Sequence, residues 1–224
     1  MLEVSDISVT ISSLRILRGL SLTVPTGRIV GLVGRNGAGK TTTLRSMVGL
    51  APTVAGTIRL DDDTITGLPP HKRARLGIGY LPEDRRLIPA LTVEENLLIP
   101  ARATGLTDAE ERLASIYELM PEVHKNASFR ALNLSGGQQK LVALARSMMT
   151  GTRLMLLDEP FEGVSTALSR RLAETIRDYQ ERAEGLSVLV AESDLKRAAM
   201  LTDRAYVIER GEVIKETEIA EVRL

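Results

Sequence analysis

Three short segments carry residue types whose spacing suits phosphate chemistry. Gly34-Arg35-Asn36-Gly37-Ala38-Gly39-Lys40-Thr41 matches G-x-x-x-x-G-K-[ST]. Glycines at these intervals let backbone amides wrap a phosphate closely, Lys40 adds a charge for the β- and γ-phosphates, and the Thr41 hydroxyl can ligate Mg²⁺. Thr42, next in the chain, joins the same set. In Leu154-Met155-Leu156-Leu157-Asp158-Glu159, four apolar residues run into two carboxylates, which places both acids at the end of a buried strand. Asp158 is expected to hold Mg²⁺, and Glu159 to polarise the water that attacks the γ-phosphate. Leu134-Ser135-Gly136-Gly137-Gln138-Gln139 opens a helix whose bare amides and serine hydroxyl form a second phosphate-binding device. Capping explains Ser135 and Gln138, but not the paired glycines, which weaken a first turn unless a ligand or another backbone comes close. Alone, each segment has a plainer explanation: a glycine turn with an incidental lysine, a strand ending in an acidic turn, a capped helix. Their co-occurrence favours the phosphate reading.

These residues need a strand, a loop and a helix in that order. Residues 28–33 are a short apolar run leading into the glycine loop, and residues 40–50 have helical composition closed near Pro52. The first twenty-four residues alternate apolar and polar side chains, as half-buried strands do. From about Thr92 to Met149 helix formers dominate: Thr92-x-x-Glu95 and Thr107-x-x-Glu110 read as capping boxes, and Leu141, Leu144, Ala145 and Met148 form a helical stripe. Residues 154–157 and 186–191 read as buried strands, Ser165 can cap a helix running to about Glu184, and residues 205–208 with 212–214 suggest a closing hairpin across Gly211. Strands alternating with helices imply an α/β fold with a parallel sheet covered on both faces.

Composition excludes several function classes. The 224 residues carry 29 Lys and Arg against 29 Asp and Glu, a net charge of zero that argues against a polycationic nucleic-acid coat. Aromatic residues are only 3%, so the core must be built from aliphatic side chains and methionine. With no cysteine, disulfides and thiolate metal sites are excluded; His71 and His124 lack metal-ligand spacing and are expected at the surface. No apolar run approaches the roughly 20 residues of a membrane-spanning helix, and residues 1–6 lack signal-peptide character, so a cytosolic chain is expected unless a partner holds it elsewhere.

Taken together, the phosphate loop, the L-S-G-G-Q segment and the acidic strand end resemble the nucleotide-binding subunit of an ABC transporter, over essentially the whole chain. The resemblance implies a P-loop NTPase (RecA-like) core with an antiparallel β edge at residues 1–82 and 151–224, and an inserted helical signature subdomain at residues 83–150. It implies ATP and Mg²⁺, and a head-to-tail dimer in which Leu134, Ser135, Gly136, Gly137 and Gln138 of one subunit close over the γ-phosphate held by the other. Transmembrane permease subunits, a second cassette of different sequence and, indirectly, a substrate-binding protein are the implied partners, with no nucleic acid. The implied location is peripheral, on the cytoplasmic face of the inner membrane. Residues 81–97, Leu-Pro-Glu-Asp-Arg-Arg-Leu-Ile-Pro-Ala-Leu-Thr-Val-Glu-Glu-Asn-Leu, look like the branched-chain or hydrophobic amino-acid uptake branch, with Asp84 where glycine is usual. Urea or a short amide is the neighbouring substrate class.

Four positions depart from the family pattern. Ile11 stands where an adenine-stacking aromatic is usual, Glu83 at the Q-loop glutamine, Ser165 at the D-loop aspartate and Ser193 at the switch histidine. Serine is too short to replace an imidazole that holds the γ-phosphate and the attacking water. The departures imply unequal sites: a slow one bearing this chain's Lys40 and Glu159, and a more complete one on the partner, closed by this chain's Ser135, Gly136 and Gly137. Two other classes compete with the transport ATPase. A soluble cassette of DNA repair or translation would resemble a coiled-coil-bearing or tandem chain, for which 224 residues leave no room. A regulatory nucleotide-binding module with weak hydrolysis is motivated by Ile11, Glu83 and Ser193.

Overall fold

Alternating apolar residues at the start of the chain fold as an antiparallel pair, β1 (Leu2–Ile11) and β2 (Leu14–Val24). Ser12 and Ser13 join them, both at positive φ (47° and 68°). Leu2, Val4, Ile7 and Val9 all point inward, because a register shift between Val4 and Ile7 restores the buried face after an odd step. The computed structural model describes residues 1–219; the last five of the residues 151–224 assigned to the core lie outside the described residues. Next come β3 (Ile29–Val33), α1 (Lys40–Met47), β4 (Thr53–Leu60), β5 (Asp63–Thr64), α2 (Pro70–Arg75) and β6 (Ile78–Leu81). A helical stretch follows: α3 (Val93–Thr104), α4 (Ala109–Leu119), α5 (Pro121–His124), a 3₁₀ turn (Ala131–Asn133) and α6 (Gly136–Met148). The chain ends with β7 (Leu154–Asp158), α7 (Thr166–Arg182), β8 (Ser187–Glu192), α8 (Leu195–Ala198), β9 (Arg204–Glu209) and β10 (Glu212–Glu218).

Two sheets result. One is antiparallel, in the order β2-β1-β4-β5; the other runs β10-β9-β3-β8-β7-β6, with β9, β3, β8, β7 and β6 mutually parallel and β10 antiparallel at the edge. The central strands serve two cores at once. In β7, Leu154 and Leu156 face the core shared with the antiparallel sheet and α1, while Met155 and Leu157 face the core built with α3, α4, α6 and α7. Burial on both faces is why this strand reads as an unbroken apolar run. The fold is thus a P-loop NTPase core with an antiparallel sheet and a helical subdomain.

The expected caps at Thr92, Ser135 and Ser165 form, each side chain accepting the amide three residues on. Thr107 does not cap. Helix α4 starts at Ala109 with Asp108 before it, and Asp108 instead pairs with Arg112 at 2.7 Å, one turn along. Sequence patterning does not announce β4, β5, α2 or β6. β4 buries only Ile58 and Leu60 and leaves Val54 exposed, so it lacks alternation and is held by backbone pairing with β1. His71 and His124 are exposed as expected, His124 stacked on Tyr117.

Candidate nucleotide-binding and hydrolysis site

Four neighbouring parallel strands, β3, β8, β7 and β6, end in a row. Their carboxyl ends deliver Gly34, Ser193, Glu159 and Glu83, residues spread from position 34 to position 193, to one rim, as parallel sheets do. A cleft of about 410 Å³ opens there, lined by Ile16, Asn36, Gly37, Gly39, Lys40, Thr41, Thr42, Glu83, Glu159 and Glu162.

The glycine loop leads directly into α1. Gly39 precedes the helix at φ 114°, a backbone angle that side chains disfavour, and no side chain caps the first turn. The amides at that end therefore stay free for an anion. On its other side the loop is pinned by the β9–β10 turn: Gly211 N–H donates to the Ala38 carbonyl at 2.8 Å, while its own carbonyl accepts from Arg18 N–H of β2 at 3.0 Å. A Cβ at Gly211 would collide with the Ile16 carbonyl. Arg35 and Ala38 belong to the loop but face a second groove of about 720 Å³ on its far side, shared with Ser193.

Lys40 is 5% exposed, donates to the Gly34 carbonyl at 2.7 Å and lies 3.0 Å from Glu159 Oε1. Glu159 follows the last residue of β7 with φ at 48°, a strained conformation for a non-glycine residue. Three hydrogen bonds hold it there. Its N–H donates to Ala191 at 3.0 Å, and its carbonyl accepts from Glu162 N–H at 3.2 Å and from Lys140 Nζ at 2.7 Å. Next to it, Asp158 Oδ1 accepts from the Thr41 hydroxyl at 3.1 Å and Oδ2 from the Tyr80 hydroxyl at 3.2 Å. Burial pushes the Asp158 carboxyl up to about 6, against the lowering effect of these two bonds.

Thr41 and Asp158 fit a magnesium ion. Both offer hard oxygen donors already in contact, and a cation would favour the ionised Asp158 carboxylate that burial opposes. The cleft supports the same conclusion, since Glu83, Glu159 and Glu162 outnumber Lys40 on its walls and a triphosphate adds more negative charge. Among the described residues no cluster of three or more His, Cys, Asp or Glu forms a protein-only metal cage.

The signature residues stand apart from this cleft. Ser135 Oγ accepts from Gln138 N–H at 3.3 Å while Gln138 Oε1 accepts from Ser135 N–H at 2.8 Å, so Leu134–Gln138 open α6 as a reciprocal cap. The two glycines have different surroundings. A Cβ on Gly137 would press to 2.8 Å from Leu168, whereas one on Gly136 would meet only the Arg85 guanidinium at 3.4 Å. Internal packing explains Gly137 and leaves Gly136 open outward.

The departures are also placed. Ile11 is 42% exposed at the end of β1 and does not line the cleft; Ile16 of β2 does, which alternation alone could not single out. Glu83 is exposed on the cleft wall, Ser165 is occupied in capping α7, and Ser193 Oγ accepts from Arg197 at 3.4 Å. Sequence reasoning missed Ile16, Lys140, Glu162 and Arg197. Only Glu162 carried a local signal, lying in the turn just after Glu159.

The family model described as ABC transporter matches residues 17–162. The chain belongs to the ABC transporter ATP-binding family. It is 40% identical over 205 residues to the lipopolysaccharide export system ATP-binding protein of Escherichia coli strain K12, covering 89% of this chain and 83% of that protein. It is 36% identical over 214 residues to a high-affinity branched-chain amino acid transport ATP-binding protein of Pseudomonas aeruginosa, covering 96% of this chain and 91% of that protein. A dimeric ATP-binding cassette in a post-hydrolysis state, bound to ADP and Pi, superposes with a TM-score of 0.87 at 24% identity over 98% of this chain and 99% of that one, a likeness of fold. The cassette is the ATP-binding subunit of an ABC transporter and an ATPase. No helix among the described residues is long and apolar enough to cross a membrane.

Proposed function

We propose that this cassette hydrolyses MgATP to drive import of branched-chain or other hydrophobic amino acids, paired with a second cassette of different sequence on permease subunits at the cytoplasmic face of the inner membrane. Hydrolysis is carried by one observation: the buried, backbone-strained Glu159 lies beside Lys40 at the mouth of the phosphate loop. Phosphate oxygens compete with Glu159 for Lys40, and once Lys40 turns to them the carboxylate is free to accept a proton from the attacking water. Backbone amides from Gly34 to Thr42 bind the phosphates, and Ile16 gives the adenine an apolar wall. Thr41 and Asp158 hold Mg²⁺, which neutralises charge developing on the phosphate oxygens.

Leu134–Gln138 act in trans, with the open face of Gly136 toward the partner's γ-phosphate. Residues 83–150 move as one signature-bearing unit against the core of residues 1–82 and 151–224, and the Glu83–Asn96 surface passes the motion to the permease. Amino-acid import is supported by residues 81–97 and by the near full-length similarity to the branched-chain amino acid protein. A second reading, lipopolysaccharide export, is favoured by the 40% identical relative. The test is to isolate the chain with its partners from solubilised membranes and reconstitute the complex. ATPase stimulated by a leucine-loaded binding protein supports import; stimulation by lipopolysaccharide instead overturns it.

A further inference from the structure

Glu159 Oε2 and Glu192 Oε2 are both buried without a hydrogen-bond partner among the described residues, and one guanidinium faces both. Arg197, on the one-turn helix α8, places Nη1 3.9 Å from Glu159 Oε2, 3.8 Å from Glu192 Oε2 and 3.4 Å from Ser193 Oγ. The carboxylate distances lie within electrostatic reach but beyond a hydrogen bond, so the guanidinium keeps donors to spend. Asp194 fixes its origin, accepting the Arg197 N–H at 3.0 Å and lying 3.8 Å from Nε. The arginine side chain is 37% exposed against 5% for Glu159 and 0% for Glu192, so it reaches inward from the rim.

Lys40 and Arg197 are the cations that pair with the Glu159 carboxylate among the described residues. When a triphosphate draws Lys40 away, Glu159 would be left as a buried, unpaired carboxylate, which is strongly unfavourable. We propose that Arg197 is the positioning residue of the hydrolytic site, closing onto Glu159 and Glu192 as Lys40 leaves and supplying the charge that Ser193 cannot. A planar guanidinium suits this task, because it can bridge two carboxylates at once while a lysine offers one point charge. Glu192, held from the other side by the Phe161 amide at 3.1 Å, is the fixed end of that bridge. Arg197 lies one helical turn beyond Ser193, so the cation enters at the rim from which the switch residue would act. The proposal rests on Glu159 being the general base.

The test uses the complex with its partner subunits, with the partner cassette's own phosphate-loop lysine replaced so that turnover reports this chain's site. Arg197→Gln should lower kcat on the order of 10²-fold while KM and MgATP affinity change less than about twofold, and Arg197→Lys should recover part of the loss. Adding Ser193→His to Arg197→Gln should raise turnover above the single variant. Unchanged kcat in Arg197→Gln, with Glu159→Gln inactive, overturns the proposal and spares the general base. A fall in kcat matched by lost MgATP affinity and a lowered Tm, unrelieved in Arg197→Lys, also overturns it, because a structural role would do the same. Normal turnover by Glu159→Gln overturns the general-base reading and this proposal with it.

Discussion

Lys40 and Glu159 neutralise each other across 3.0 Å while both are almost fully buried, so each substitution has consequences for the other partner. Lys40→Ala removes the phosphate counter-charge and strands a carboxylate in the loop; MgATP affinity should fall by roughly 2 kcal/mol or more, read by equilibrium binding. Glu159→Gln keeps the shape of the site but not the base. Binding should persist, turnover at this chain's own site, isolated by replacing the partner cassette's phosphate-loop lysine, should drop about 10²- to 10⁴-fold, and a closed dimer should accumulate on size exclusion with ATP. Glu192 offers a pH test in the nucleotide-free protein. Burial pushes its carboxyl up to about 8 from an ordinary 4.5, so the folded state favours the protonated form. Its contribution to stability is fully present below about pH 4.5 and is lost as pH rises through about 8. Scanning calorimetry should show Tm falling between about pH 5 and 8, and Glu192→Gln, which keeps an acceptor for the Phe161 amide, should flatten the slope. At this scale the sequence was legible where the chemistry is local. The phosphate loop is one contiguous run, whereas Ile16, Lys140 and Arg197 gain meaning only from strands brought together by the parallel sheet.

Helix α6 reaches the end of β7 through the Lys140 side chain. Lys140 is 2% exposed, burial lowers its pKa, and its ammonium donates to the carbonyl of Glu159. Lys140→Met keeps volume and removes that hold on a strained backbone. We expect kcat to fall roughly ten- to a hundredfold with nucleotide affinity unchanged. Thermal stability should hold or rise, since a buried charge is exchanged for an apolar side chain; a large fall in Tm with kcat intact would contradict this. The helices were legible from their caps and apolar stripes, apart from Thr107, where two acceptors in succession, Thr107 and Asp108, left the start ambiguous. The segment from β4 to β6 was not legible, because its strands are short or half-exposed and take their order from neighbours. Asn96 illustrates the same limit: fully buried, it bonds both the amide and the carbonyl of Ile88 and so closes the loop before α3, which no periodicity announces.

For the whole molecule, the expectation concerns which half of a mixed dimer does the work. Gly136 faces outward, and if, as proposed, Ser193 stands at the switch position, this chain's larger contribution should be the signature it lends to its partner. Gly136→Asp places a carboxylate where the partner's γ-phosphate would lie, and turnover of the reconstituted complex should fall further than with Lys40→Ala. The reverse ranking would locate the productive site on this chain. One further consequence belongs to the order in which the chain is made. Every residue of the glycine loop has been synthesised by Thr42, yet the loop's outer support, Gly211 bridging Ala38 and Arg18, arrives about 170 residues later. β9 must also dock beside β3 before that turn can reach the loop. A nascent cassette on the ribosome would therefore be blind to ATP until its final hairpin emerges, and nucleotide would act as a proofreader of finished chains, stabilising only those that have closed this last contact.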